Sequence, residues 1–238
     1  MGIGTYVANP VLEQILNKVS LIGGNGNMAD IVSSQGIYRF TKQFLSEHPE
    51  VVELQGEGTG DKIVSRIVEL LPNVFITLDK HNDNYISIIA KTKTSRVVKY
   101  IKRSYVQETT YLEKYNVVIP ESNGKGPFDV FSTPIVLGPG EGFSDTFISI
   151  GCFGERYEAE NAMKYIKGKF SRAMLGIKKA TQHNPKDTWI YVPTQDFSTA
   201  SDIDWTQSIA NVDKQLYAKY QLSSEEISFI EDSVPTMK

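Results

Sequence analysis

The chain is poor in the residues that build reactive centres. It has one cysteine, Cys152, and three scattered histidines, His48, His81 and His183. A single thiol forms no internal disulfide and excludes a cysteine-rich zinc site. No histidine has a second at ligand spacing, and neither a Ser-His-Asp order nor a G-x-S-x-G elbow is present. Long apolar runs are missing as well; none reaches the roughly 18 residues of a membrane span. The N-terminus lacks the basic and apolar regions of a signal peptide. "MGIGTY" has Tyr6 where a myristoylation site expects Ser or Thr. The expected compartment is therefore the cytoplasm.

Phosphate-binding glycine motifs are also incomplete. In "GEGTGDK" (56–62) the third glycine comes one residue too early for a dinucleotide loop, and no Gly-Lys-Ser/Thr follows. The stretch reads as a linker. "DKHNDNY" (79–85) lacks the spacing of a calcium loop and reads as an exposed turn. Asp61-Lys62 and Asp79-Lys80 do not make the clustered carboxylates of a metal-dependent nuclease.

The most informative shortage is of acids. Residues 84–107 hold Lys91, Lys93, Arg96, Lys99, Lys102 and Arg103 without one Asp or Glu. Residues 162–186 hold Lys164, Lys167, Lys169, Arg172, Lys178, Lys179 and Lys186, again without an acid. Net charge is only −3, so the other 189 residues carry 12 cations against all 28 acids, a net of −16. A polyanion-binding surface on an acidic body has this pattern, and so does a pair of solvated basic faces.

What is present is a full set of folding signals. A chain of 238 residues with 40% apolar content is long enough for a real core. "NPVLEQILNKVS" predicts a helix capped by Asn9, and "DKIVSRIVELLP" one capped by Asp61. "VFITL" and "YISIIA" read as a hairpin around "DKHNDN", and "RVVKYIKRSY" begins as a strand. "TYLEKYN" reads as a short helix and "VVIPES" as a strand. "STPIVLGPGEGFSDTFISIGCF" reads as two strands around a Gly/Pro-rich loop. The longest helix is expected from Glu155 onward. Met163, Ile166, Phe170, Ala173, Met174 and Ile177 form its apolar stripe; Lys164, Lys167, Arg172, Lys178 and Lys179 form its other side. Gly168 and Gly176 inside it allow close packing or a kink. "TWIYVP" reads as extended, and the tail as two short helices, the second with a Ser223/Glu226 capping box. Strands mixed with helices, without βαβ regularity, indicate an α+β fold with a mixed or antiparallel sheet over residues 1–200. A C-terminal helical segment, 201–238, packs on it or links onward.

Three loops then stand out: "SNGKG" with Lys125, "GPGEGFSDT" with its backbone amides, and "TQHNPKDT" after the basic helix. Gln182, His183 and Asn184 have donors and acceptors suited to base edges, while Lys178, Lys179 and Lys186 suit phosphates. Trp189 and Trp205 read as core rather than as stacking platforms.

"DIVSSQGIYRF", "KYIKRSYVQETTYLEKYNVVIPESNGKG", "PGEGFSDTFISIGCF", "AENAMKYIKGKFSRAMLGIKKATQHNPKDTWIYVPTQDF" and "DIDWTQSIANVDKQLYAKYQLSSEEISFIE" resemble one family. It comprises the C-terminal portions of bacterial adenine-specific DNA methyltransferases in type II restriction–modification systems, many fused to an endonuclease. The resemblance runs from about Asn9 to Val234 and is most specific from about Lys99. It implies a target recognition domain that selects a double-stranded DNA sequence and is non-catalytic in itself. Its partners would be DNA and the methyltransferase domain of a parent polypeptide. S-adenosylmethionine, and magnesium for a cutting parent, would belong to that parent. The adenine-gripping Asn-Pro-Pro-Tyr motif is absent, since neither Asn9-Pro10 nor Asn184-Pro185 continues as Pro-Tyr. Charge and position nominate the DNA-facing residues: Lys91, Lys93, Arg96, Lys99, Lys102, Arg103, Lys125, Lys167, Arg172, Lys178, Lys179, Gln182, His183 and Lys186. The competing expectations are a nuclease and a protein-interaction module of a restriction system.

Overall fold

Asn9 opens the first helix, α1 (Pro10–Ile22), as the sequence predicts. Its side-chain carbonyl accepts the N–H groups of Val11 and Leu12 at 2.9 and 3.2 Å, and Pro10 sits where no N–H is needed. The computed structural model describes residues 9–23, 26–77, 82–93, 95–122, 128, 132–179 and 183–237. Three short helices follow: α2 (Lys42–Glu47), α3 (Glu50–Gln55) and α4 (Ser65–Leu70). Asp61 does not cap α4, which begins four residues later. Its carboxylate instead accepts from Arg39 and from Gln107.

Six strands come next: β1 (Tyr85–Lys91), β2 (Arg96–Lys102), β3 (Tyr115–Pro120), β4 (Ile135–Leu137), β5 (Glu141–Phe143) and β6 (Phe147–Phe153). The hairpin is therefore β1–β2, closed by Thr92 and Ser95, and not the one expected around "DKHNDN". Among the described residues of "VFITL", Ile76 makes only a bridge to Tyr100. "TYLEKYN" gives a 3-10 turn over Thr110–Leu112. The Gly/Pro-rich stretch contains three strands rather than two.

The strands form two sheets. In one the order is β2-β1-β5, antiparallel then parallel; in the other it is β4-β3-β6, antiparallel throughout. With the helices, this is the α+β class.

The β4-β3-β6 sheet stands between two apolar cores. Successive strand residues point to opposite faces. Val117 and Ile119 of β3, with Ile148 and Ile150 of β6, enter a helical core. Val118 and Phe147 enter the other core, with Tyr38, Phe40, Phe44, α4 and the hairpin.

The helical core is built by α1, α5 (Arg156–Lys167), α6 (Lys169–Gly176), α7 (Ile209–Lys219) and α8 (Ser224–Ser233). The long helix expected from Glu155 is broken at Gly168, whose ψ of 153° leaves the helical region. Asp213 of α7 occupies the space beside that glycine and accepts the backbone N–H groups of Lys169 and Phe170 at 2.9 and 3.1 Å. A side chain from a helix far downstream thus caps α6. Helix α6 touches α1, α5, α7 and α8, and Phe170 through Leu175 are all buried. Phe170 stacks on Tyr220 with ring centroids 5.1 Å apart.

"TWIYVP" is a 3-10 turn running into a bend rather than a strand. Trp189 and Trp205 are core residues, as read from sequence. The Ser223/Glu226 capping box opens α8. Among the described residues no helix is long and apolar enough to cross a membrane.

Candidate nucleic-acid interface

Much of the second acid-free window serves the fold. Lys164 donates to the carbonyls of Trp205 and Gln207. Lys169 forms an ion pair with Glu231 at 2.8 Å. Arg172 is 1% exposed and donates to the carbonyl of Pro235. Lys179 is 2% exposed. The expectation that Arg172 and Lys179 face phosphate therefore fails. The break at Gly168 sets α6 inside a ring of helices, so α6 has no solvent side there. The excess of acid in the tail, including Asp213 and Glu231, answers part of the excess of base in this window.

Three cations of this window remain outside the core. Lys178 and Lys186 are exposed. Lys167 is half-buried on an open hollow of about 560 Å³, beside Lys164, Arg156 and the Pro134–Val136 segment. None of the three side chains has a partner among the described residues. Gln182 and Lys125 lie outside the described residues.

The first window divides by strand geometry. Opposed residues of an antiparallel pair share a face. Ile86 with Ile101, Ala90 with Val97 and Ile88 with Lys99 face the second core. Lys99 is consequently half-buried and donates to the Thr77 hydroxyl at 3.0 Å. The other face pairs Lys91 with Arg96, Ile89 with Val98, Ser87 with Tyr100, and Tyr85 with Lys102. Lys91, Lys93 and Lys102 are exposed. Lys102 lies 5.3 Å over the Tyr105 ring. Arg103, just past β2, is held by Glu108 and Glu113, which raise its pKa above the ordinary guanidinium value.

Arg96 is the junction. Its guanidinium donates to the Thr133 carbonyl at 2.9 Å and lies 5.6 Å over the Phe147 ring. Burial lowers its pKa from the usual arginine value, though a guanidinium keeps its charge. Thr133 leads directly into Pro134 at the Lys167 hollow.

A second route joins the windows. His183 Nδ1 lies 2.9 Å from the Glu121 carboxylate, and Ser122 bridges to His183. The Glu121 N–H donates to the Thr146 carbonyl at 3.0 Å. The Thr146 hydroxyl bonds that of Ser65 at 2.9 Å, and Ser65 Oγ accepts the Lys91 N–H at 3.1 Å. A relay of hydrogen bonds through Glu121, Thr146 and Ser65 therefore links the loop after α6 to the turn end of the hairpin. His183 is tied to Glu121 there, yet its side chain is 54% exposed.

The "GPGEGFSDT" loop is closed on itself. Glu141 accepts the Gly138 N–H at 2.7 Å, and Gly140 donates to the Leu112 carbonyl. Asp145 accepts the Ser65 N–H at 2.9 Å, and burial holds its pKa above the usual carboxylate value. This packing gives the loop a structural task that glycine content alone does not signal. No group of three His, Cys, Asp or Glu side chains suited to a metal occurs among the described residues.

No protein-family model, no curated protein and no solved structure matches the chain.

Proposed function

We propose that this chain binds double-stranded DNA and selects its sequence, as the specificity part of a bacterial type II restriction–modification adenine methyltransferase acting in the cytoplasm. It performs no chemistry itself; methyl transfer belongs to the methyltransferase domain of the parent. The observation that carries the reading is the indirect linkage of the two acid-free segments, through Arg96–Thr133 beside the Lys167 hollow and through the relay His183–Glu121–Thr146–Ser65–Lys91. On this reading cations from both segments act on the same polyanion, on an otherwise acidic chain. The side chains of Lys91, Lys93, Lys178 and Lys186 are exposed and have no partner among the described residues, and Lys102 is exposed at the opposite end of the hairpin from Lys91.

The test is duplex binding against salt. Each phosphate contact contributes a slope of about 0.9 in log affinity against log salt. Replacing Lys91, Lys93 and Lys186 by alanine together should flatten the slope by about 2.7. Enrichment of one sequence from a randomised duplex pool should accompany binding, and duplex incubated with magnesium should stay intact. An unchanged slope in the triple variant, or no retention of duplex by the wild-type chain, overturns the proposal.

A further inference from the structure

We infer that strand β2 lies in the DNA major groove and that Val98 selects thymine; this rests on the DNA-binding reading above. Arg96, Val98, Tyr100 and Lys102 alternate along one side of β2, the outermost strand of its sheet, whose outer edge is bridged by Ile76 at Tyr100. Val98 is 49% exposed, one of the few large apolar side chains so open to solvent. Tyr100 beside it is half-buried. The row is apolar and aromatic in its middle and cationic at its ends. Lys91 and Lys93 join Arg96 at the turn end, while Lys102 stands at the other. There is no acid in the hairpin.

The spacing matches a groove. Six residues of strand span about 20 Å, and the major groove is about 12 Å wide. Lys91 and Lys93 at the turn end and Lys102 at the other would reach the phosphate walls, Arg96 being held by Thr133 and Phe147, and the uncharged middle would meet the base edges. An apolar side chain finds one apolar feature there, the C5 methyl of thymine. Strand readers of the major groove provide the physical precedent. The opposite side of β2 is committed to the core through Val97 and Ile101. Of the two rows of β2 the Val98 row is the more open, although its β1 neighbours Ser87 and Ile89 are buried.

The experiment uses the full chain and a randomised duplex pool of about three helical turns, made with either thymine or uracil. A Val98→Cys/Cys152→Ser variant is labelled with maleimide with and without saturating pool. Leu21→Cys/Cys152→Ser, at a site 86% exposed on α1, is the control. The pool should slow labelling at position 98 at least tenfold and leave position 21 unchanged. Wild-type protein should prefer the thymine pool about fourfold, the effect of burying one methyl group, and Val98→Ala should lose that preference. Retention of duplex while the thiol at position 98 stays unprotected overturns the groove placement but leaves DNA binding intact. Protection without a thymine preference overturns the role of Val98. Failure of the wild-type chain to retain either pool overturns the DNA-binding reading and this inference with it.

Discussion

The Oδ1 atom of Asp213 lies 2.6 Å from the point where a β-carbon on Gly168 would stand. Asp213 caps α6 at the break in the helix, and Arg172 is buried in the first turn that follows.

Gly168→Ala should destabilise the protein by about 1–3 kcal/mol through overpacking. The Tyr165 carbonyl, 3.0 Å from the same point, is backbone and cannot swing away. The entropic gain of replacing glycine, about 0.4–1 kcal/mol, is smaller. Urea denaturation of the two proteins measures the difference.

Asp213 gives a pH signature. Burial, reinforced by Glu231, pushes its pKa up to about 6 against two backbone N–H bonds and Arg172. The folded state therefore binds this proton more tightly than the unfolded chain, whose carboxyl titrates near 3.8. The resulting stability is present below about pH 4 and is lost as pH rises through about 6. Asp213→Asn keeps an N-cap acceptor and removes the titration. The difference in unfolding free energy between wild type and Asp213→Asn should shift by about 2–3 kcal/mol from pH 4 to 7.5. A flat difference would contradict the assignment.

Buried and exposed cations should separate cleanly. Arg172→Ala should cost about 3 kcal/mol in stability, because a buried charged group and its packing are lost together. Lys178→Ala and Lys186→Ala should each stay within about 0.5 kcal/mol of wild type. Each should also lower the salt slope of duplex binding by about 0.9. Thermal melts and salt titrations on the three variants provide both readouts.

Ending the chain at residue 200 should abolish cooperative folding. Val212, Leu216, Tyr217, Tyr220 and Ile230 lie in the same core as β3 and β6. Each such side chain contributes about 1.5–3 kcal/mol when buried. Loss of the near-ultraviolet signal and of a melting transition is the expected result.

Local chemistry is legible in the sequence. Asn9 with Pro10, and Ser223 with Glu226, mark helix starts because donor and acceptor lie within three residues of one another. The apolar stripe of Ile166, Phe170, Ala173 and Met174 is readable for the same reason, and all four are buried. Asp213 capping α6 is not legible, since the capping side chain arrives from another helix. Arg172 and Lys179 look like surface charge when periodicity is followed across Gly168 as though the helix continued. Lys99 reads as a free cation because the strand register that turns it toward Thr77 depends on which segment closes the hairpin. Of the candidate interface, the clustering of cations along the chain is visible. The long-range Arg96–Thr133 and Glu121–Thr146 hydrogen bonds are not.

Strand β3 has a consequence for how the molecule fails. Val118 belongs to one core, and Val117 and Ile119, on either side of it, to the other. The two halves share a wall one strand thick, so neither can come apart and leave the other standing. Strain from heat or mutation on one side is passed across the wall, and the chain comes undone as a single unit.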